Sequence, residues 1–146
     1  MRPAPVFEKE KAILRLRNKV AIITGGDSGI GRAVAVAFAR EGANVVVADL
    51  NVQGAQDTVR LIAAAGGKAI AVATDVSSPA SVEALVAQTI NTFGHIHTLV
   101  NNAAIQVNKT IEDTSFEEWN AQLSINVGGV FLCSKYFLPH LRNTRG

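Results

Sequence analysis

Four glycines fall within seven positions near the start of the chain, namely Gly25, Gly26, Gly29 and Gly31. A short apolar run precedes them, and a segment with apolar residues at helical spacing follows at 32–41. A helix that begins inside such a turn presents unpaired N–H groups and the positive end of its dipole. Because glycine has no side chain, a phosphate can approach these groups closely. The pattern therefore indicates a phosphate-binding turn, with a glycine-rich turn that holds no ligand as the alternative.

An acid ends the next apolar run: Asp49 stands eighteen positions after Gly31. This is near the spacing at which a carboxylate bonds the ribose hydroxyls of a bound dinucleotide. The same carboxylate would repel a 2′-phosphate, and no lysine or arginine stands at Asp27, Ser28 or Leu50 to attract one. We therefore expect the cofactor NAD(H), in preference to NADP(H).

Hydrophobic periodicity predicts that strands and helices alternate along the chain. The predicted strands are 19–24, 45–48, 68–73 and 98–100, and the predicted helices are 32–41, 53–65, 79–93 and a long one over 116–141. Such alternation favours an α/β protein with a Rossmann-type doubly wound parallel sheet, truncated to about four strands in the order 3-2-1-4 with flanking helices. The ligand crevice of such a sheet lies outside the carboxyl ends of strands 1 and 4.

The helix caps and apolar faces are also predicted from the sequence. Ser78 and Pro79 open the third helix and Gly94 closes it. Its buried face is predicted to comprise Val82, Leu85, Val86 and Thr89, and the first helix carries apolar residues at helical spacing at Val34, Ala37 and Phe38. The apolar positions of the long helix are Trp119, Leu123, Val127, Val130, Phe131 and Phe137, and the adjacent Gly128 and Gly129 indicate close packing.

The length and composition fit one globular domain. We divide the 146 residues into an extension, 1–18, in which 8–16 is expected to form a short helix, and a single NAD-binding Rossmann domain over 19–146. Apolar residues make up 48%, enough for a core, and the net charge of +2 is too small and scattered to indicate nucleic acid. No run reaches the roughly 18 apolar residues of a membrane span. We expect a cytoplasmic protein without nucleic-acid or membrane partners, and a lone Cys133 that acts as a small buried apolar group.

Polar residues at two other predicted strand ends invite interpretation. Asp75 and Val76 follow the third strand, where the acid could accept a hydrogen bond from an adenine amino group while Val76 packs on the ring. A simple turn acid is the equal alternative on spacing alone. His95 and His97 form an H-x-H pair, but no third ligand stands near, so no metal site is expected.

The glycine turn TGGDSGIG, residues 24–31, differs from the common G-x-G-x-x-G and resembles the cofactor turn of the short-chain dehydrogenase/reductase family. The resemblance covers about residues 15–146. NNAA at 101–104 is similar to the family's N-N-A-G, with Ala104 for glycine, and His97 stands where the family often has Asp. The implied cofactor-binding residues are Gly25, Asp27, Ser28, Gly29, Ile30, Gly31, Asp49, Leu50, Asp75, Val76, Asn102 and Ala103.

One residue resembles the family's catalytic set. Asn126 matches the asparagine that bends the long helix and holds a water in a proton relay; the alternative is an ordinary helix asparagine. The family carries its reaction on a Tyr-x-x-x-Lys pair with an upstream Ser. Here the one tyrosine, Tyr136, is followed four positions on by His140, so we interpret Tyr136 as a helix-packing aromatic.

We therefore expect the N-terminal portion of an NAD-dependent short-chain dehydrogenase/reductase-like oxidoreductase. The full-length family transfers hydride between the nicotinamide and an alcohol or carbonyl; this chain is expected to keep the cofactor half only and to be inactive alone. A small alcohol or carbonyl substrate would bind only if downstream residues complete the site. The alternatives are a non-catalytic dinucleotide-binding module and a nonfunctional truncated fragment. The outer edge of strand four would have unpaired backbone N–H and C=O groups, and the long helix would expose an apolar face. Both features predict self-association.

Overall fold

The computed structural model describes residues 14–146 and shows alternating strands and helices. The elements are β1 Val20–Thr24, α1 Gly29–Arg40, β2 Asn44–Asp49, α2 Val52–Ala64, β3 Lys68–Ala73, α3 Pro79–Phe93, β4 Thr98–Val100, α4 Phe116–Leu123, a π-helical segment Ser124–Gly129, and α5 Val130–Thr144. The helix predicted over 8–16 lies mostly outside the described residues, and positions 15 and 16 belong to a turn.

The strands form one parallel sheet in the order β3-β2-β1-β4, as predicted. Val20 pairs with Asn44, Asn44 with Lys68, and Ala21 with Thr98, so the carboxyl ends of all four strands meet at one edge. The loops that follow these strands are thereby brought together. The predicted α/β class and strand order are confirmed.

Two apolar cores cover the two faces of the sheet, which explains why its strands are continuous apolar runs. Alternate residues of β1 point to opposite faces. Ile22 packs with Val46 and with the residues of α3 and α5, whereas Ile23 packs with Val47 and with those of α1 and α2. The four predicted inward positions of α3, Val82, Leu85, Val86 and Thr89, are all buried, which confirms them.

The capping predictions are also confirmed. Ser78 accepts a hydrogen bond from the Ser81 amide, with Pro79 in the first turn of α3, and Gly94 ends that helix in the left-handed conformation. In α1 the apolar residues Val34 and Phe38 are half-buried and Ala37 is exposed, whereas the fully buried residues are Gly31 and Ala35. Because α1 begins at position 29 rather than 32, the face packed on the sheet starts at Gly31.

The predicted helix over 116–141 is observed as the continuous helical run of α4, the π-helical segment and α5. Among its six predicted apolar positions only Phe137 is buried, and the other five face solvent. The buried line is instead Gly129, Cys133 and Phe137, one residue in every four. A Cβ atom on Gly129 would lie 2.7 Å from the Val76 side chain, which confirms close packing there; on Gly128 it would meet only an atom at 3.8 Å.

His97 supports the start of β1. The Val20 amide donates to His97 Nδ1 at 3.0 Å, and the His97 amide donates to the Val20 carbonyl at 2.9 Å. The ring must be neutral at Nδ1 to accept that bond. Burial lowers the pKa of His97, and the positive charges of Lys19 and His95 lower it further. His97 thus takes the acceptor role that an aspartate would fill with a carboxylate.

We predict a pH-dependent contribution from this hydrogen bond. Because the pKa of His97 is lowered in the folded chain, the contribution is present above the ordinary histidine value of about 6.5 and is lost as pH falls through the folded value. The loss should be about 1 kcal/mol of unfolding free energy, measured by urea denaturation between about pH 7.5 and about pH 5.

Two variants make this test specific. His97→Asp should flatten that pH dependence, because a carboxylate remains an acceptor throughout this range. His140→Asn, which removes a histidine on α5, should leave it unchanged. An equal pH dependence in the unchanged chain and in His97→Ala would contradict the prediction.

Candidate functional site

The structure brings all twelve sequence-predicted binding residues around one crevice at the carboxyl edge of the sheet. The cavity has a volume of about 360 Å³, and its walls also include Ala48, Thr74, Ala104, Ile105 and Ile125. That volume lies in the range of small-molecule sites. No lysine or arginine is among the described residues that line it. What these residues bind remains a prediction.

The glycine turn is built by close backbone approach. A Cβ atom on Gly31 would lie 1.9 Å from the Gly25 carbonyl oxygen, and one on Gly25 would lie 2.8 Å from the Ala103 Cα. Gly25 also has φ +66°, a conformation that L side chains rarely adopt. The turn therefore requires glycine at 25 and 31, and it leaves the N-terminus of α1 bare toward the crevice.

Asn102 and Thr24 tie the end of β4 to this turn. Asn102 Nδ2 donates to the carbonyl oxygens of Thr24 and Gly25, both at 3.0 Å. The buried Thr24 hydroxyl accepts from the amides of Asn102 and Ala103 at 3.0 and 3.1 Å and donates to the Val100 carbonyl. Asn102 thus joins the ends of the adjacent strands β1 and β4. Thr24 was not predicted, although a hydroxyl in an otherwise apolar strand is a signal that could have identified it.

Two carboxylates stand at the far end of the crevice. Asp49 accepts from the Asn51 amide at 2.9 Å and from the Asp27 amide at 3.2 Å. Burial raises the pKa of Asp49, and the negative charge of Asp27 adds to that rise. The Ser28 hydroxyl, which donates to Asp27 at 2.7 Å, holds the pKa of Asp27 below its usual range. This end of the crevice therefore offers oriented anionic acceptors.

Asp75 has the turn role that the sequence left open. Its Oδ1 accepts from the Ser77 amide at 2.9 Å and from the Ser77 hydroxyl at 2.6 Å. The same residue lines the crevice, beside the nearly buried Val76. The turn thus fixes the carboxylate at the crevice wall, and contact with a ligand there remains a prediction.

Asn126 lies in the π-helical segment and anchors the loop after β4. Its Nδ2 donates to the Ile105 carbonyl at 2.8 Å, and its Oδ1 accepts from the Ile105 amide at 2.9 Å. Its neighbour Ile125 lines the crevice, whereas Asn126 itself stands behind that wall. Single π turns inside α-helices occur frequently at functional sites. The predicted irregularity of the helix at Asn126 is therefore observed, and its predicted proton-relay role remains a prediction.

Two other reactive residue types serve packing. Cys133 is fully buried, and burial raises its pKa to about 11, so it remains a thiol. Tyr136 packs against the core between the sheet and α5, which confirms its interpretation as a packing aromatic.

Within residues 14–146 there is no cluster of three or more His, Cys, Asp or Glu side chains placed to hold a metal. None of the helices in that range combines the length and apolar character that crossing a membrane requires.

The sheet order, the crevice at its carboxyl edge and the glycine turn define a Rossmann-like α/β domain. A family model described as short chain dehydrogenase matches residues 19–146. The chain belongs to this family of oxidoreductases.

The chain is similar to relatives about twice its length. It is 44% identical over 144 residues to an uncharacterized oxidoreductase, YhxC, of Bacillus subtilis, covering 97% of this chain and 50% of the relative. It is 41% identical to cyclohexanol dehydrogenase of an Acinetobacter species, covering 86% and 50%. A short chain dehydrogenase/reductase from Burkholderia phymatum, solved in complex with NAD, superposes with a TM-score of 0.86 at 36% identity, covering 90% of this chain and 47% of that one. The chain therefore spans about half the length of the relatives it matches.

The two glycines at the start of α1 should respond differently to alanine. Gly31→Ala should lower the unfolding free energy by about 3 kcal/mol, because the new methyl group would collide with the Gly25 carbonyl. Gly29→Ala should cost about 1 kcal/mol, since φ is +50° there but the space is open. Urea denaturation of both variants measures the difference, and equal losses would contradict the close approach described above.

Proposed function

We propose that the crevice binds NAD(H) and that this chain is the cofactor-binding part of an oxidoreductase acting on an alcohol or carbonyl. One observation carries the proposal: the N-terminus of α1 and the oriented carboxylate of Asp49 line the same crevice. No lysine or arginine is among the described residues that line it. The NAD complex of the Burkholderia phymatum protein supports it, because that structure superposes on this fold.

The residues present fit the cofactor. The amides at the start of α1 would bind the pyrophosphate, because Gly29 has open space where a side chain would stand and Gly31 lets the turn close beside them. Asp49 would accept hydrogen bonds from the adenosine ribose hydroxyls. The Asp75–Val76 wall would face the adenine, and the backbone at Ala103, whose amide donates to the Thr24 hydroxyl, would face the nicotinamide ribose. When bound, the cofactor supplies the nicotinamide ring that gives or takes hydride.

The preference for NAD(H) over NADP(H) is part of the proposal. The support is electrostatic: Asp49 is charged, partly buried and held by two amide donors. A 2′-phosphate placed beside it would meet like charge where screening by water is reduced. The residues lining that end offer no cation to compensate.

We further propose that this chain alone binds the cofactor without useful turnover. Within its residues no tyrosine is followed four positions on by a lysine, and the half-buried Tyr136 packs against the core and does not line the crevice. Both polar atoms of the Asn126 side-chain amide are hydrogen-bonded to the Ile105 backbone, so Asn126 would act by positioning the loop after β4. General acid–base catalysis needs a group within hydrogen-bond reach of the substrate proton, and this crevice offers none next to the proposed nicotinamide position.

Calorimetric titration with NAD⁺ and an NADH absorbance assay together test the proposal. We expect saturable one-to-one binding of NAD⁺, weakened at least about tenfold in Asp49→Asn through loss of charged hydrogen bonds. Over a panel of alcohols and ketones we expect no turnover above background.

Asp57→Asn is the matched control, because it removes the same charge on the exposed side of α2, where Asp57 pairs with Arg60. Its affinity for NAD⁺ should equal that of the unchanged chain. Absence of NAD⁺ binding would favour a nonfunctional fragment. Robust turnover would refute the proposal that this chain alone binds the cofactor without catalysing the reaction.

Self-association is the proposed partner interaction, through an apolar stripe on α4, the π segment and α5. The stripe consists of the exposed side chains Phe116, Trp119, Leu123, Val127, Phe131 and Leu138. Val127 and Phe131 are each 61% exposed, although both are large apolar residues. Contiguous apolar surface of this kind marks interaction sites in soluble proteins.

The spacing within the stripe suits pairing with a second copy in antiparallel orientation. Leu123 and Phe131 each lie four positions from Val127, and Phe116 and Leu138 each lie eleven positions from it. A two-fold axis at Val127 would therefore place each residue against its counterpart, as an isologous interface requires. It would also place Lys135 of one copy over Trp119 of the other, in a favourable cation–π contact.

Sedimentation velocity tests the stripe directly. The unchanged chain should sediment faster as its concentration rises, and the double variant Leu123→Glu with Phe131→Glu should sediment as a monomer at every concentration. Leu61→Glu is the matched control, since Leu61 is a half-exposed leucine on α2 outside the stripe; it should self-associate normally. A monomer in the unchanged chain at all concentrations would contradict this proposal.

A further inference from the structure

A second acid stands beside Asp49, at the position where the glycine turn meets α2. Asp27 Oδ1 accepts from the Ser28 hydroxyl at 2.7 Å, and Oδ2 accepts from Asn51 Nδ2 at 2.9 Å. Asn51 also donates its backbone amide to Asp49 at 2.9 Å, so one residue holds both carboxylates. Both acids line the same end of the crevice. The structure therefore fixes two negative charges there, side by side.

Gly54 makes room for this arrangement. A Cβ atom on Gly54 would lie 2.9 Å from the Asp27 Cβ and 3.1 Å from its Oδ2. Any larger residue at 54 would push the Asp27 side chain away from Asn51. Glycine inside a helix costs about 1 kcal/mol relative to alanine. That cost is offset here by a place for the carboxylate against the first turn of α2, where the helix dipole favours a negative charge.

The nearby cation Arg32 is directed away from the crevice. Arg32 Nε donates to the Thr58 hydroxyl at 3.0 Å, and its terminal nitrogen donates to the carbonyl oxygens of Asp27 and Gly54. Thr58 is itself buried and bonded to the Gly26 carbonyl. The Arg32 guanidinium therefore stabilises the glycine turn from the side opposite the crevice and favours the ionised form of Asp27, but it does not line the crevice.

We propose that Asp27 is a second specificity residue of this pocket, so that a 2′-phosphate is excluded by two carboxylates rather than by Asp49 alone. The inference rests on the proposed NAD(H) function, because it assigns the ribose end of the cofactor to this end of the crevice. A ribose 2′-hydroxyl can donate to either acid, whereas a 2′-phosphate has no proton to donate at neutral pH and meets both charges.

The test is the ratio of dissociation constants for NADP⁺ and NAD⁺, measured by calorimetry on the full chain. Asp27→Asn should shift this ratio toward NADP⁺ about tenfold, and Asp49→Asn should also shift it. The double variant should shift the ratio further toward NADP⁺ than either single variant. Asp57→Asn, the charge-matched control on the outer side of α2, should leave the ratio unchanged. Asp27→Ser, which keeps an oxygen acceptor for Asn51, gives a second reading if Asp27→Asn melts at a much lower temperature.

Ionic strength separates charge repulsion from a purely structural effect. Raising the salt concentration from about 0.05 M to about 0.5 M should lower the ratio of the NADP⁺ to the NAD⁺ dissociation constant in the unchanged chain, because salt screens the repulsion between the 2′-phosphate and the carboxylates. The same change should lower the ratio less in Asp27→Asn, which has one charge fewer. A structural role for Asp27 would not give this dependence.

The outcomes are distinct. A shift of threefold or more in Asp27→Asn, with the stated salt dependence, supports the proposal. A shift below threefold in both Asp27 variants, with Asp49→Asn moving the ratio, overturns it and leaves the proposed function standing. If the unchanged chain binds neither nucleotide, the proposed function fails and this inference fails with it.

Discussion

The distance between the Gly31 Cα and the Gly25 carbonyl is the constraint on which this molecule depends. A methyl group on residue 31 would stand 1.9 Å from that oxygen, so the turn closes only where the side chain is a hydrogen atom. Closure aligns the first turn of α1 with the end of β1 and leaves its amides facing the crevice. It also places the Gly25 carbonyl where Asn102 can donate to it. The end of β4, the loop after it and the crevice wall all follow from that contact.

Much of this arrangement was predictable, because it depends on residues close together in sequence. The strand runs, the glycine turn and Asp49 belong to one βαβ unit, in which position along the chain fixes position in space. The caps of α3 were predictable for the same reason, since a cap interacts only with the next helical turn. The order of the strands followed from the handedness of parallel connections, which leaves few alternatives for alternating elements.

The features that were missed depend on contacts between distant elements. The burial of Gly31 and Ala35 in α1 was not predicted, because the predicted helix began at 32 whereas α1 begins at Gly29. An exposed apolar face was predicted for the long helix, but not which of its residues form that face, because hydrophobicity does not distinguish a protein interior from a surface that a partner covers. Small residues determine which face of this helix is buried. Gly129 and Cys133 allow the helix to approach Val76, so the larger side chains lie on the opposite face.

The anchors of the candidate pocket all come from within the residues that line or surround it. Thr24 and Asn102 hold one wall, Asn126 holds the loop at Ile105, and Asn51 holds the two acids. None of these hydrogen bonds runs to a group that would transfer a proton to substrate. In the proposed function, cofactor binding and substrate chemistry therefore depend on different parts of the structure, because the first would be set by backbone closure around β1 and the second would require an acid placed beside the nicotinamide. NAD(H) binding and turnover can for that reason be measured separately.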